Sequence, residues 1–195
     1  LDALEPFPVK FTTEKGEDFL SFGRNENHAR PWVKPGTPGM EFRIGGLEKA
    51  PTSNISYDPD NHQAMTDLRH AKVRKVADTI PTPEIEGPDS GELLVVGWGS
   101  SVGTLKQAVD TCREEGLSVS RTHLTHVWPL PHGLDEMFAK FDRILVPEMN
   151  VAQMTTLLRG ELPDHKYVPY NKVTGQPFLI SEVVDRIKNV LAESK

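Results

Sequence analysis

The spacing of apolar residues is most regular in the second half of the chain. The run 93–96 is short and wholly apolar, which is typical of a strand buried on both faces of a sheet. Apolar residues then recur at i, i+3, i+4 and i+7, which predicts a helix over 104–115 that Gly116 ends. Residues 117–127 predict a second strand. A strand, a helix and another strand therefore follow one another directly.

The same alternation continues to the end of the chain. The further predicted elements are a helix through Leu134, Met137, Phe138 and Phe141, a strand over 143–147, a helix capped by Asn150 and ended by Gly160, a strand over 166–170, and a helix capped by Ser181. Strands that alternate with helices in this way predict an α/β fold, with an open, mainly parallel sheet covered by helices on both faces.

The first part of the chain has a different character. Residues 1–57 show little period and are rich in Pro and Gly, whereas Asp58 and Pro59 are good starting residues for a helix over 59–77. Three prolines and two glycines within 81–91 predict a linker. We therefore expect a loop-rich segment with one helix over 1–78, a linker over 79–91 and an α/β domain over 92–195.

Composition narrows the classes of function. The formal net charge is -6, which disfavours a nucleic-acid surface because phosphate binding needs a basic face. No apolar run approaches the roughly 20 residues that cross a bilayer, and the first ten residues lack a signal-peptide pattern. The chain has a single cysteine, Cys112, so it forms no internal disulfide and holds no cysteine-bound iron–sulfur cluster by itself, which fits the cytoplasm. Because the chain does not begin with Met, we expect a fragment or a processed chain.

Glycines follow the first predicted strand. Gly97, Gly99 and Gly103 are spaced one residue wider than the dinucleotide-binding fingerprint, and no acidic residue ends the next strand. A tight turn from strand to helix explains these glycines better than a bound dinucleotide does. Ser100 and Ser101 nevertheless lie where a helix N-terminus favours an anion or a carboxylate of a partner.

A second set of polar residues follows the predicted strand over 143–147. Glu148, Asn150 and Gln153 come at the sheet edge where open α/β folds bind ligands and partners. A purely local role is equally compatible with the sequence, because Asn150 can cap the next helix and Glu148 can pair with its N-terminus.

Two other groups carry candidate chemistry. A loose histidine cluster lies within "HLTHVWPLPH", but its spacing favours ordinary strand-end or surface histidines over a metal site; its members are His123, His126 and His132. Arg30 and Lys34 lie in the proline-rich loop "NHARPWVKPGTPG" and could hold a carboxylate, although a solvated basic loop is the simpler interpretation.

Several motifs occur in an order that resembles one family. They are "KPGTPGMEFRIGGLEK", "SYDPDNHQAMTDLRHAKVRKV", "VVGWGSSVGTLKQAV", "HLTHVWPLPHGLDEMFAKFDRILVPEMNVAQMTTLLRG" and "YNKVTGQPF". Together they resemble the C-terminal part of the alpha subunit of 2-oxoacid:ferredoxin oxidoreductases of the 2-oxoglutarate type. The resemblance implies a transketolase C-terminal-like domain from residue 92 and the tail of a pyrimidine-binding domain before the linker.

The resemblance also implies a reaction. In this family 2-oxoglutarate, coenzyme A and oxidised ferredoxin give succinyl-CoA, carbon dioxide and reduced ferredoxin, with thiamine diphosphate, Mg²⁺ and a 4Fe–4S cluster in the complete enzyme. We expect none of these cofactors to be bound by this chain alone. The implied partners are a beta subunit and ferredoxin, in an assembly of two alpha and two beta subunits, with no nucleic acid and no membrane.

The family pattern assigns substrate-binding roles to the loop before Pro-Gly-Thr. Arg30, Lys34 and Thr37 are the matching candidates, although Trp32 stands where the family's arginine is expected. Lys49 replaces the histidine of the family's Gly-Leu-Glu-His, so no role of that histidine carries over. By the same resemblance, Ser100, Ser101, Glu148, Asn150 and Gln153 are candidates for the coenzyme A side or a partner contact. A non-catalytic assembly domain and a flavodoxin-like nucleotide-binding module stay open as alternatives.

Overall fold

The chain divides into two compact units. A computed structural model describes residues 9–17 and 19–193. The expectation that the first ten residues lack a signal peptide therefore falls mostly outside the described residues. One unit spans Leu1–Val76 and the other spans Ala77–Lys195. Among the described helices, none combines the length and the hydropathy needed to cross a bilayer.

The second unit is built on a sheet of four parallel strands. Its strands are β1 (Gly91–Trp98), β2 (Val119–Leu124), β3 (Phe141–Glu148) and β4 (Tyr167–Asn171). Their order across the sheet is β2-β1-β3-β4, and every neighbouring pair is parallel. The predicted α/β fold with an open parallel sheet is therefore confirmed.

The helices of the second unit cover both faces of this sheet; they are α2 (Val102–Glu114), α3 (Leu134–Phe138), α4 (Gln153–Glu161) and α5 (Ile180–Ala192). The first unit contains α1 (Pro59–Lys75), and 3₁₀ turns lie over Val76–Thr79 and Gly99–Ser101. Apolar residues of α2 and α5 pack with Leu93, Val95 and Leu145 in one core cluster. Residues of α3 and α4 pack with Leu94 and Val96 in the other. Alternate residues of β1 thus enter opposite cores, as the strand period requires.

Several predicted element ends are wrong in detail. The second strand ends at Leu124 and not at residue 127, and the N-cap of α4 is Ala152 and not Asn150. Phe141 does not extend α3; it begins β3, where it lies opposite Gly91. Gly160 lies inside α4 and does not end it. The last helix is capped by Leu179 and not by Ser181, because the Glu182 carboxylate accepts a hydrogen bond from the Leu179 backbone N–H at 2.8 Å. At Phe141 the boundary is set by pairing with a strand that is distant in the sequence.

The segment predicted as a linker makes contacts within the second unit. The backbone of Glu86 exchanges two hydrogen bonds with Arg121, at 2.8 and 3.1 Å, and forms an antiparallel bridge beside β2. The hydroxyl of Ser120 donates to the Pro88 carbonyl at 2.6 Å, and that of Thr122 donates to the Glu84 carbonyl at 2.9 Å. Residues 84–88 therefore cover the edge of the sheet.

The first unit consists largely of ordered loops around α1. Asp58 caps this helix by accepting from the Asp60 N–H at 3.0 Å, and Pro59 occupies its first turn, as predicted. The helix ends at Lys75, two residues before the predicted end. The guanidinium of Arg69 in this helix donates two hydrogen bonds to the carboxylate of Glu48 in the preceding loop, at 2.9 and 3.2 Å. This pair attaches the loop to the helix.

Candidate functional site

The sheet of the second unit has a switch point between β1 and β3. The chain leaves β1 toward β2 on one side and returns to β3 on the other side. In open α/β sheets, ligands bind outside the carboxyl ends of the strands at such a point. A cavity of about 320 Å³ lies here, and we call it the carboxyl-edge cavity. It is lined by Trp98, Gly99, Ser100, Ser101, Pro147, Glu148, Met149, Asn150, Gln153 and Phe178. Five residues predicted from two separate motifs thus surround one cavity.

The glycine turn beside this cavity is explained by packing. A Cβ atom added at Gly97 would lie 2.6 Å from Leu105 Cδ1 and 3.0 Å from His123 Nδ1. Gly99 has a φ of +60°, in the left-handed region that favours glycine. Both positions therefore need glycine for the sharp passage from β1 to α2, without any bound phosphate.

The two serines of this turn have different environments. The hydroxyl of Ser101 donates to the Trp98 carbonyl at 2.8 Å and is buried. Ser100 is exposed at the cavity. No side chain caps the N-terminus of α2. The cavity is therefore lined by the 3₁₀ turn that precedes α2, next to a helix N-terminus without a side-chain cap.

The N-terminus of α4, on the opposite wall, is already occupied by its own loop. The buried Glu148 carboxylate accepts from the Met154 N–H at 2.7 Å and from the Thr155 N–H at 2.9 Å. Asn150 Oδ1 accepts from the Gln153 N–H at 2.9 Å. Since the first three amides of α4 are satisfied internally, Glu148 and Asn150 hold the wall of the cavity in place.

The apolar wall of the cavity is held by an ion pair. Phe178 is buried and lies 5.0 Å from the ring of Tyr170. Lys172 Nζ binds both oxygens of Glu182, at 2.7 and 2.9 Å, and also donates to the Pro177 carbonyl at 3.0 Å. The Lys172 hydrogen bond lowers the pKa of Glu182, which favours the charged carboxylate. The segment that carries Phe178 is thereby attached to α5.

The first unit contains a strongly cationic cavity of about 650 Å³, which we call the basic cavity. Among the described residues, six cationic side chains and a single carboxylate, that of Glu48, line it. The cations are Arg24, Arg30, Arg43, Lys49, Arg69 and Lys72. This excess of positive charge is notable in a chain with a formal net charge of -6, and it creates a local potential that attracts anions.

Arg30 is held in this cavity by two aromatic rings. Its guanidinium carbon lies 5.0 Å from the ring centre of Phe22 and 5.3 Å from that of Phe42. These cation–π contacts fix the guanidinium without engaging it in an ion pair within the described residues. Arg30 is therefore positioned and still able to bind a carboxylate.

The two other predicted substrate residues form a turn of their own. The hydroxyl of Thr37 donates to the Lys34 carbonyl at 2.7 Å, and both residues lie outside the lining of the basic cavity. Trp32, which occupies the position expected for the family's arginine, is 60% exposed. The structure thus brings Arg30, and neither Lys34 nor Thr37, to the basic cavity.

Lys49 and Glu48 have structural contacts. Lys49 is buried, and its Nζ donates to the Gly45 carbonyl at 2.7 Å and to the Leu47 carbonyl. Hydrogen bonding by Arg69 lowers the pKa of Glu48. These contacts shape the rim of the basic cavity. They also engage the charged groups of three lining residues, Glu48, Lys49 and Arg69, within the protein.

The histidines do not converge. His132 Nε2 lies 2.9 Å from Asp78 Oδ1, and His126 Nδ1 lies 3.0 Å from the hydroxyl of the adjacent Thr125. His123 is packed behind Gly97, and burial lowers its pKa. Within residues 9–17 and 19–193, no three His, Cys, Asp or Glu side chains are grouped so that they could hold a metal ion.

The comparisons with known proteins agree with this architecture. Residues 91–183 match the family described as pyruvate:ferredoxin oxidoreductase core domain II. Over 192 residues the chain is 41% identical to 2-oxoglutarate oxidoreductase subunit KorA of Mycobacterium tuberculosis, covering 95% of the chain and 28% of that relative. The chain is homologous to part of the KorA subunit of 2-oxoglutarate oxidoreductases. The predicted relationship to the 2-oxoacid:ferredoxin oxidoreductases is therefore confirmed.

Two further relatives extend this result. The chain is 34% identical over 116 residues to 2-oxoglutarate synthase subunit KorA of Methanocaldococcus jannaschii, covering 60% of the chain and 31% of the relative. It also matches the solved 2-oxoglutarate:ferredoxin oxidoreductase of Magnetococcus marinus, with 2-oxoglutarate, coenzyme A and succinyl-CoA bound. That match has a TM-score of 0.87 and 28% identity, covering 97% of this chain and 33% of the other. The chain thus spans about a third of the subunits that it resembles.

The donor atoms of the described residues do not fit the metal groups that the resemblance implies. Cys112 is the single cysteine and lies buried in the core, whereas a 4Fe–4S cluster needs four thiolates. The described residues also lack a group of acids that could hold Mg²⁺ on a diphosphate. The described residues therefore offer no set of ligands for either metal group.

Several residues of the two cavities escape analysis of the sequence. Trp98 and Phe178 line the carboxyl-edge cavity, and Arg24, Arg43, Arg69 and Lys72 line the basic cavity. The four cations are spread over 49 residues and share no motif. The only signal was a concentration of cations in the irregular N-terminal part of an acidic chain.

Proposed function

We propose that this chain is part of the alpha subunit of a 2-oxoglutarate:ferredoxin oxidoreductase, and that it is inactive alone. The complete enzyme would convert 2-oxoglutarate, coenzyme A and two oxidised ferredoxins to succinyl-CoA, carbon dioxide, two reduced ferredoxins and a proton. The observation that carries this proposal is the structural match over 97% of the chain to an enzyme of this activity.

Within that enzyme, the basic cavity is our proposed site for the 2-oxoacid. Arg30 would bind the carboxylate next to the keto group, since its guanidinium is fixed by Phe22 and Phe42 and has no carboxylate partner among the described residues. Lys34 and Thr37 would shape the loop that carries Arg30. Positioning of this kind contributes to the rate by holding the substrate in one orientation.

The carboxyl-edge cavity is our proposed contact for coenzyme A or for a neighbouring subunit. Ser100 and Ser101 lie at an uncapped helix end, which favours an anionic or hydrogen-bonding group. Glu148 and Asn150 keep the opposite wall in place, and Gln153 supplies an exposed amide. All five side chains would act by binding and shape, since none is placed to react.

The remaining machinery would come from other parts of the complete enzyme. Thiamine diphosphate with Mg²⁺ supplies the carbanion chemistry of decarboxylation when bound, and a 4Fe–4S cluster supplies the electron transfer. A beta subunit and ferredoxin are the proposed partners, in a cytoplasmic assembly of two alpha and two beta subunits.

The test uses the complete enzyme that contains this chain. Arg30→Ala should raise the KM for 2-oxoglutarate about tenfold or more in a ferredoxin-reduction assay, because a charged hydrogen bond to substrate is lost. Lys15→Ala is the matched control, since Lys15 is an exposed cation of the same unit outside the basic cavity. An unchanged KM in Arg30→Ala would instead favour a pure assembly role for this unit.

The carboxyl-edge cavity has its own test. Ser100→Trp should fill the cavity and raise the KM for coenzyme A while leaving the KM for 2-oxoglutarate unchanged, whereas Arg113→Ala, at an exposed site near the far end of α2, should change neither. If Ser100→Trp alters neither KM but weakens subunit assembly in size-exclusion chromatography, the cavity faces a partner and not coenzyme A.

A further inference from the structure

The exposed apolar side chains of the second unit are concentrated at one edge of its sheet. Among the described residues of this unit, the large ones all follow the carboxyl end of a strand or begin the next helix. They are Val102, Val127, Trp128, Met149, Val151, Val173, Leu179 and Ile180. Single exposed apolar residues are common on protein surfaces, but they are normally scattered. We call this set of eight residues the apolar edge.

The apolar edge is continuous along the sheet. In the sheet order, β1, β3 and β4 are neighbours, and parallel strands end at the same side. The segments that carry Val102, Val151 and Val173 therefore lie one beside the next. Of these, Val151 is 74% exposed and Val173 is 66% exposed. Apolar surface concentrated in this way marks an interaction site.

Charged residues are distributed in the opposite sense. Four segments connect the carboxyl ends of the strands to the following elements: 99–101, 125–133, 149–152 and 172–179. Histidines apart, Lys172 is the single ionisable cation or acid in them, and Glu182 binds its ammonium. The shorter segments at the other edge of the sheet carry Glu115, Lys140, Asp164 and Lys166. In a chain with 26% charged residues, the apolar edge is therefore depleted of charge.

This composition is typical of a permanent protein contact. The centre of a stable interface is depleted of charged residues and enriched in aromatic residues and Met, as Trp128 and Met149 illustrate here. Permanent interfaces are also more apolar than transient ones. A partner that covers the apolar edge must therefore present an apolar and uncharged surface of its own.

The lack of charge also indicates how that partner arrives. Proteins that meet by diffusion use complementary charges to steer their encounter and to fix its register. A part of the same polypeptide needs no steering, because the connecting chain supplies a high effective concentration. This chain covers 28% of the Mycobacterium tuberculosis relative and 33% of the Magnetococcus marinus one. Subunits of this kind therefore contain ample further polypeptide for the role.

We infer that the apolar edge packs permanently against another part of the same alpha subunit. This inference rests on the proposed function, in which the chain is part of such a subunit. The contact adjoins the carboxyl-edge cavity, because Met149 belongs both to the apolar edge and to the lining of that cavity. The cavity therefore lies beside the junction of the two parts.

The experiment labels introduced cysteines in the complete alpha subunit, without the beta subunit. Val151→Cys and Val173→Cys report on the apolar edge, and Ala139→Cys, at an exposed site at the other edge of the sheet, is the matched control. N-ethylmaleimide should modify the first two cysteines at least about tenfold more slowly than the control, because a covered thiol is inaccessible to the reagent. Mass spectrometry of the peptides separates these sites from all other cysteines. The protection should not change when the protein is diluted.

Three results would overturn the inference. Labelling at the rate of the control would show that the apolar edge is open to solvent. Protection that grows with the concentration of the alpha subunit would show that a second copy covers it. Protection that appears only after the beta subunit is added would assign the contact to that subunit.

A charge placed at the apolar edge gives a second, independent measurement. Val151→Lys should raise the labelling rate of Val173→Cys several-fold, because an unpaired ammonium in an apolar contact is costly and opens it. Ala139→Lys should leave that rate unchanged. Slow labelling of the buried Cys112 verifies that the second unit stays folded in both variants. An unchanged rate in Val151→Lys would also contradict the inference.

Ferredoxin reduction separates this inference from the proposed function. It is measured with 2-oxoglutarate and coenzyme A after the same alpha subunit is combined with the beta subunit and the cofactors. Activity together with an unprotected apolar edge refutes the inference alone. Protection of the apolar edge without 2-oxoacid oxidation refutes the proposed function alone.

Discussion

The carboxylate of Glu148 receives both the backbone N–H and the hydroxyl of Thr155, at 2.9 and 2.7 Å, while its other oxygen receives the Met154 N–H. Glu148 ends β3, and Thr155 lies in the first turn of α4. The fully buried side chains of both residues therefore connect the carboxyl end of the sheet to the helix beyond the cavity. A charged acceptor at a helix N-terminus is a strong form of capping.

Replacing this carboxylate should destabilise the second unit. In Glu148→Gln the amide nitrogen meets one of the helix N–H groups, so a buried donor loses its acceptor. We expect a loss of about 1–3 kcal/mol in the free energy of unfolding, measured by urea denaturation. Thr155→Val, which removes only the hydroxyl, should cost less, about 1 kcal/mol. Equal stability of Glu148→Gln and the unmodified chain would contradict the capping role.

Two glycines of the same turn should respond in opposite directions to alanine. Gly97→Ala places a methyl group against buried Leu105 and the His123 ring and should destabilise by about 1–3 kcal/mol. Gly103→Ala, inside α2 with no atom within 4 Å of the new Cβ, should be neutral or more stable by up to about 1 kcal/mol. Thermal unfolding monitored by circular dichroism compares the two. A loss of stability in Gly103→Ala that equals the loss in Gly97→Ala would contradict the packing explanation.

Cys112 should be unreactive in the folded protein. Burial raises the pKa of its thiol to about 11, so the nucleophilic thiolate is scarce at pH 8 and is shielded by α2 and α5. A thiol reagent such as dithionitrobenzoate should label it slowly in buffer and rapidly in denaturant. Rapid labelling of the folded chain would show that this core is open.

The ion pair of Lys172 and Glu182 should make the free energy of unfolding depend on pH. Because the pKa of Glu182 is lowered in the folded state, chiefly by Lys172, its contribution is complete above the ordinary glutamate value of 4.5 and is lost as the pH falls through the lower folded value. Lys172→Met should therefore be less stable than the unmodified chain at pH 7, and the difference should shrink below pH 4.5. Arg113→Ala, at an exposed cation elsewhere on the same unit, serves as the control. A difference that stays constant between pH 7 and pH 3 would contradict the assigned ion pair.

Much of the second unit could be predicted from the chain. The strand over 93–96 and the helix over 104–115 were expected close to where β1 and α2 lie, because an apolar period over a few residues specifies an element without reference to its partners. Boundaries were less predictable. Phe141 continues the apolar spacing of α3, but it begins β3 and pairs with Gly91 of β1. This pairing depends on a residue 50 positions earlier in the chain.

The sequence by itself determined the α/β class, the parallel sheet and the relationship to the oxidoreductase family, since local periods and ordered motifs are written in neighbouring residues. Only the tertiary structure decided the local contacts of Glu148, because its carboxylate accepts hydrogen bonds from the first turn of α4. It also brought Arg24 and Arg30 into one cavity with cations from α1. Charged residues that are far apart in the sequence come together only when the loops fold. The periodic spacing of apolar residues carries no information about which of them will do so.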